Sequence, residues 1–281
     1  MHADNVVKVL FFGDLVGVPG RALIRNHIAQ LKKTYKADLV IVNGENAAKN
    51  GRGITPIIAQ QLYKDTVNCI TTGNHAFQKK EILDYLLFEK NIVRPLNYPI
   101  GCPGSGCAFI PIPGCAKPLA VINLQGRVFM RELLLCPFKT LETVLTFVAS
   151  KTNCIFVDFH AEASSEKVGL GLYFNGRISC IAGTHTHIQT ADERILSDGT
   201  AYITDTGMCG ALNGMLGMKK ESVLSMMLTQ MPHKFIVEKE PPYTINGICV
   251  TIDATTGKAV SIERINTRID CMSFDETDFH E

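Results

Sequence analysis

Short apolar, β-branched runs alternate with helix-period segments through the first third of the chain, and that alternation limits the fold more than any other feature. "VVKVLFF" (6–12) reads as a strand, followed by residues 20–36, where Ile24, Ile28, Leu31 and Tyr35 share one helical face. "LVIV" (39–42) reads as a second strand. The segment 55–65 then reads as a helix with Thr55 as N-cap and Pro56 at its first position. "VNCITT" (67–72) and "KKEILDYLLFEK" (79–90) repeat the pattern as a third strand and a third helix. A β-α-β-α order calls for a parallel sheet with crossover helices.

Residues 95–118 break the rhythm with six prolines and four glycines, which predicts a long loop or a pair of edge strands. "PLAVINLQG" (118–126) resumes the strand pattern, so the break is read as an insertion within one domain spanning 1–281. Further strands are expected at 154–159, 178–183, 201–205, 246–253 and 259–265, the last two joined by the hairpin signal "ATTGK". The acidic end, about 270–281, is expected to fray. With 46% hydrophobic and 20% charged residues, the chain can bury a substantial core.

A formal net charge of +1, without a run of Lys or Arg, gives no sign of bulk attraction to nucleic acid or to an anionic membrane. No stretch approaches the ~20 apolar residues of a membrane span. Of ten cysteines, Cys69, Cys154, Cys180 and Cys249 lie inside apolar runs, and no CxxC pair exists. Free thiols in a reduced, cytoplasmic setting are therefore expected, with neither a disulfide framework nor a zinc ribbon.

The predicted strands share one more property. "VLFF" ends in Gly13-Asp14, "LVIV" in Asn43-Gly44-Glu45-Asn46, "CITT" in Gly73-Asn74-His75, "IFVDF" in His160 and "ISCIAG" in Thr184-His185-Thr186-His187. Open α/β sheets place ligands outside the carboxyl ends of their strands. One such ending is a turn, but five together point to a site. Carboxylate, amide and imidazole without thiolate suit Mn²⁺, Fe or Zn²⁺, and three imidazoles count against an oxygen-only Mg²⁺ or Ca²⁺ site. Asp14, Glu45, Asn46, Asn74, His160, His185 and His187 are too many for one tetrahedral ion and suit two divalent ions sharing a carboxylate. His185 and His187 point opposite ways if the chain is extended, which favours one imidazole per ion. Two such ions, less the charges of Asp14 and Glu45, leave an excess that can hold a hydroxide and a phosphate, as in two-metal phosphoryl displacement.

Other signals are weaker. A lone His is more often structural than a ligand, and His27 and His233 are read that way. The GxGxxG, P-loop and GxSxG patterns are absent from the sequence. "CPGSGC" reads as a loop.

The motifs "FGDLVGVPGR", "VNGENAAKNGRGIT", "TTGNHAF", "RPLNYP", "DFHAEASSEK", "GTHTHIQTADERI" and "GTAYITDTGM" resemble the YmdB-like branch of the calcineurin-like metallophosphoesterases, from about residue 8 to 265. The broad superfamily has D-x-H at its first motif and a bridging Asp; here Val16 and Glu45 stand instead, as they do in that branch. The resemblance implies a four-layer α-β-β-α sandwich of mixed sheets flanked by helices, and a homo-oligomer. It implies Asp14, Asn46 and His187 on one metal, Asn74, His160 and His185 on the other, Glu45 bridging, and His75 as proton donor. Fe or Mn are the favoured ions, with Zn also compatible.

The reading is a phosphodiesterase for cyclic nucleotides, with 2′,3′-cyclic ones favoured. A bridging hydroxide attacks phosphorus and His75 protonates the leaving oxygen. The alternatives are a phosphomonoesterase or protein phosphatase on the same site, and a low-turnover regulatory protein that senses a nucleotide or metal. Arg21, Arg52 and Arg94 are the arginines near the motifs, and the loop from Arg94 to Pro118 is expected to wall the substrate pocket.

Overall fold

The computed structural model describes residues 6–275, 278 and 280. Its first part comprises β1 (Val6–Phe12), β2 (Asp14–Leu15), α1 (Gly17–Tyr35), β3 (Leu39–Asn43), α2 (Pro56–Lys64), β4 (Cys69–Thr71), α3 (Glu81–Phe88) and β5 (Ile92–Val93). There follow β6 (Cys107–Ile110), β7 (Leu119–Gln125), α4 (Pro137–Lys151), β8 (Ile155–His160), α5 (Ser164–Tyr173), β9 (Cys180–Thr184), β10 (Arg194–Ile195) and β11 (Ala201–Ile203). The chain closes with β12 (Met208–Ala211), α6 (Lys220–Thr229), β13 (Tyr243–Asp253) and β14 (Ala259–Ile269).

Two mixed sheets form. One has the order β2-β12-β13-β1-β3-β4-β5 with β14 added on β13, and the other has the order β10-β11-β9-β8-β7-β6. Alternation along each strand decides what lies on either side. Val7, Val9 and Phe11 of β1 face the second sheet and meet Val121, Phe156 and Ala182. Phe11 and Phe156 pack edge to face across the two sheets, with centroids 5.0 Å apart. Leu10 and Phe12 face the other way, onto Leu23, Ile24 and Ile28 of α1 and Ile58 of α2. On the far side, Ile155, Val157 and Phe159 of β8 pack under Leu141 and Leu145 of α4 and Leu170 of α5. The layers are therefore helix, sheet, sheet, helix, and the four-layer sandwich expected of the metallophosphoesterase type is the fold observed. Each fully buried side chain in these layers stabilises the fold by about 1.5–3 kcal/mol relative to exposure.

The local signals acted largely as expected. Thr55 caps α2 by accepting the Ile58 N–H at 3.3 Å, with Pro56 at the first position. β13 and β14 form the antiparallel hairpin around "ATTGK". α1 starts at Gly17, earlier than the expected residue 20, because Pro19 falls in the first turn, where its missing N–H breaks no bond. The proline-rich segment holds one short edge strand, β6, antiparallel to β7. The helices α4, α5 and α6 were not expected, although Leu141, Leu145 and Val148 carry a helical period. All ten cysteines are free. Among the described residues, no helix is long and apolar enough to cross a membrane. At the acidic end, Asp278 is buried and paired with Arg25 of α1, Nη2 to Oδ2 at 2.7 Å. Residues 276, 277, 279 and 281, also within the stretch expected to fray, lie outside the described residues.

Candidate metal centre

The carboxyl ends of β1, β3 and β4 from one sheet, and of β8 and β9 from the other, bring all eight predicted residues to one place. The "GNH" after β4 is glycine-led for a steric reason. A Cβ on Gly73 would run into Glu45 Oε2 and the His160 ring, so only glycine lets β4 pass between them. Asn74 and His75 then enter the site directly.

Around His160 Nε2 three atoms crowd together: Asn74 Oδ1 at 3.0 Å, His185 Nδ1 at 3.0 Å and Glu45 Oε1 at 3.1 Å. One ring proton can satisfy only one of them, whereas a cation in their midst would satisfy all. The ligand atoms of Glu45, His160 and His185 all lie within 4.8 Å of one another. A second group gathers at His187 Nε2, with Asn46 Oδ1 at 3.2 Å and Asp14 Oδ1 at 3.9 Å. Asp14 Oδ1 is buried and has no hydrogen-bond partner, a costly state that a cation would relieve. Its other oxygen accepts the His185 N–H at 3.1 Å. Oxygen and imidazole donors with one orphaned carboxylate oxygen fit hard-to-borderline divalent metals.

His75 stands beside these groups rather than among them. Its N–H donates to Glu45 Oε2 at 3.1 Å and its Nδ1 lies 3.2 Å from Glu45 Oε1. The ring is partly exposed and borders a cleft.

Charge among the site's own groups follows from burial and crowding. Burial raises the Asp14 carboxyl above its usual range against the opposing pull of His187 and His160. Burial would raise Glu45 as well, but His160 and His75 hold it well below the usual range. Burial alone would depress His160, yet Glu45 and Asp14 lift it to about 9. Burial, with the charge of His160 next, takes His185 down to about 3. The two imidazoles so close together cannot both hold a proton.

The sequence profile of the YmdB-like protein family matches residues 10–265. A 2′,3′-cyclic-nucleotide 2′-phosphodiesterase of Bacillus subtilis is 47% identical over 269 residues, covering 96% of this chain and all of that one. This chain belongs to the YmdB-like family. A crystal structure described as a novel phosphatase of Mycoplasma pneumoniae superposes with a TM-score of 0.88 at 35% identity, covering 95% of each chain. A hypothetical protein of Thermus thermophilus gives 0.86 at 35% identity, covering 94% of this chain and 100% of its own. As a YmdB-like metallophosphoesterase the chain is an enzyme, and the family implies divalent metals.

The YmdB-like site rests on polar groups that the sequence reading did not single out. Asp158 points between the sheets beneath His160. It accepts Asn43 Nδ2 at 2.9 Å and Thr184 Oγ1 at 2.7 Å, as well as the Thr71 hydroxyl. Burial, opposed by His160 and these hydrogen bonds, takes its carboxyl to about 7. Thr184 also sits 2.9 Å from His160 Nδ1, so His160 is oriented through Thr184 by Asp158. Leu216 O lies 3.0 Å from His187 Nδ1, which turns Nε2 toward Asn46 and Asp14. Glu162 Oε2 is 3.2 Å from His185 Nε2, leaving Nδ1 for the centre. Asp158 was legible in principle, being two residues before His160 on the same strand face.

Two expectations need correction. His185 and His187 do separate, but not because the chain is extended: both have positive φ, 102° and 63°, after β9 has ended. The cleft is not walled by the loop from Arg94 to Pro118. A space of about 310 Å³ beside His75, His185 and His187 is lined by Met215, Met218, Met227 and Phe235, from the segment around α6. Arg52 borders it. Arg94 is buried on carbonyls of its own loop, with Nη1 2.8 Å from Pro95 O. Arg21 holds the Asp278 and His280 carbonyls instead.

Proposed function

We propose that the chain is a dinuclear phosphodiesterase that hydrolyses 2′,3′-cyclic nucleotides. Asp14, Asn46 and His187 would hold one cation, Asn74, His160 and His185 the second, and Glu45 would bridge; Fe or Mn suit this donor set, with Zn compatible. Bound there, the ions would supply Lewis-acid activation of water and neutralise charge on the phosphoryl oxygens. The chain's own residues do the rest. Glu45 fixes the His75 ring through Nδ1, leaving Nε2 to give a proton to the departing ribose oxygen. Arg52, at the cleft's border, can reach a non-bridging phosphoryl oxygen. The methionine and phenylalanine wall offers an apolar face for a base and keeps bulk water from the reacting bond.

The observation that carries this reading is the double convergence, on His160 Nε2 and on His187 Nε2, with His75 adjacent and outside both. The Bacillus subtilis relative's name supports the substrate class. A homo-oligomer in the cytoplasm remains part of the proposal. The test is elemental analysis of Mn²⁺-loaded protein with a substrate screen. About two ions per chain and preferred turnover of cyclic diesters are expected. One ion at saturation, or no diester hydrolysis, overturns it.

A further inference from the structure

Leu216 and Gly217 are the central residues of a tight turn, with φ of 55° and 81°. Met215 and Met218 close it by exchanging backbone hydrogen bonds, Met215 N–H to Met218 O at 2.7 Å and Met218 N–H to Met215 O at 3.0 Å. Two positive φ values in succession suit a type I′ turn, which glycine adopts freely and leucine does not. A leucine held in that conformation calls for a reason. Its side chain lines the cleft beside Met215 and Met218, while its carbonyl stands 3.0 Å from His187 Nδ1. One residue thus faces both the space for substrate and a proposed metal ligand.

The rest of the turn reaches the other two residues assigned to the same cation. Asn46 donates from Nδ2 to Gly51 O at 2.9 Å, and a Cβ on Gly51 would run into the Met218 methyl. Val16 follows Asp14 by two residues, and a Cβ on Gly217 would lie 2.7 Å from Val16 Cγ1. Val16, Met208 and Val237 pack with Met218 in one small cluster, and Met208 is the strand partner of Asp14. Glu238 N–H ties the turn down by donating to Gly217 O at 2.9 Å. The ligands assigned to the other cation lean elsewhere. His160 is backed by Thr184 and Asp158, and His185 by Glu162, all from β8, β9 or the segment after β8.

We propose that the Met215–Met218 turn is a positioning element that couples nucleoside binding to one of the two cations. A nucleoside seated on Met215 and Leu216 holds the Leu216 carbonyl on His187. The cation at Asp14, Asn46 and His187 therefore binds more tightly when the cleft is filled, and the cation at His160 does not sense the cleft. This rests on the dinuclear reading above. A ligand shifts such an equilibrium only by what it gains in one state over the other. Here the gain is apolar contact with the turn, so the coupling needs no phosphate. By linkage, the cation raises nucleoside affinity by the same factor.

The probe is 2′,3′-O-isopropylidene-adenosine, which has the fused ring of a cyclic nucleotide but neither a phosphate nor a free cis-diol. Chelator competition at equilibrium on Mn²⁺-loaded protein should resolve about two ions per chain. Saturating probe should raise the affinity of one ion and leave the other unchanged. The rise should be at least about fivefold, the low end for coupled sites, and at most about 100-fold, the full worth of support behind a ligand. Equilibrium dialysis of the probe against metal-free and loaded protein should return the same factor. His187→Ala should lose the probe-sensitive ion and keep the other. Leu216→Gly, at an exposed position, frees the backbone and removes the contact with the probe. It should bring the factor near one with both ions still bound. A probe that tightens both ions alike, or neither, overturns the inference; hydrolysis of cyclic nucleotides by the same preparation then leaves the phosphodiesterase reading standing. One ion at saturation overturns the dinuclear reading instead. The coupling then stands if the probe tightens that ion in the parent and not in Leu216→Gly, and falls otherwise.

Discussion

Lys167 Nζ lies 2.7 Å from Asp205 Oδ2, with both side chains only 1% exposed, and the same carboxylate oxygen accepts the Thr186 N–H at 3.1 Å. Thr186 is the residue between His185 and His187. Asp205 Oδ1 accepts the Gly207 N–H at 2.9 Å, so one carboxylate ties α5, the H-x-H segment and the start of β12 together. A Cβ on Gly183 would sit 2.9 Å from Lys167 Cδ and run into Thr204 O, so glycine there lets the lysine stem pass. The pair holds the two histidines in backbone conformations that side chains rarely adopt unaided.

Asp205→Asn should therefore act twice. Removing one partner of a buried ion pair costs about 3–5 kcal/mol, because the other charge is left uncompensated. Support behind metal-binding histidines is worth about 10–100-fold in metal affinity. Urea unfolding and competition with a chelator measure the two effects. Full stability with unaltered metal retention would show that the H-x-H segment holds itself.

The strand endings were legible because each couples a β-branched run to a change of residue type, and that needs only the local sequence. Asp14, Glu45, Asn74 and His160 were found that way. Lys167 and Asp205 were not, since "SSEK" and "YITD" look like a helix start and a strand end, and their pairing exists only once β9 lies between α5 and β11. Likewise the wall of the cleft comes from Met215–Phe235, whose methionines read as ordinary apolar residues. Arg94 stands near the motifs in the sequence, and nothing local reveals that its guanidinium is spent on its own loop.

Asn74 and His75 are neighbours with opposite expected phenotypes. Asn74→Ala removes an oxygen from the crowd around His160 Nε2 and should lower metal retention. His75→Ala should keep the metals and lower turnover by about 10²–10⁴, the range for a lost general acid. The loss should shrink for 4-nitrophenyl esters, whose leaving group needs little protonation. Metal content and kcat on both variants check this. An empty site in His75→Ala would make that histidine a ligand.

Metal loading should also release protons in a pH-dependent way. In the metal-free protein His160 is lifted from 6.5 to about 9, so at neutral pH it carries a proton that a metal must displace. This release should fade as pH rises through about 9, followed with an indicator dye during titration. The sign for stability follows from the same shift. A raised folded value stabilises the metal-free fold fully below 6.5, and that contribution is lost as pH rises through about 9. His160→Gln should flatten both profiles. Proton release that stays constant from neutral pH to well above 9 would mean His160 is neutral before metal binds.

The three arginines near the motifs should separate by what they touch. Arg52 borders the cleft, so Arg52→Ala should raise KM for a cyclic diester by roughly 10- to 100-fold, in line with about 1.5–3 kcal/mol for a hydrogen bond to a charged group. Arg94 is engaged by Pro95 O and Leu96 O, at 2.8 and 3.4 Å, so Arg94→Ala should lower the unfolding midpoint with KM near the parent value. Arg21 likewise serves the C-terminal segment. A single arginine at the cleft also bears on the substrate, because a doubly charged monoester gains from several bidentate clamps and a singly charged diester does not. Comparing kcat/KM for 2′,3′-cyclic nucleotides, nucleoside monophosphates and phosphoserine peptides on one metal-loaded preparation should place the cyclic diesters first. A clear preference for monoesters would reassign the substrate, and the convergence of donors on His160 and His187 would then serve a phosphatase.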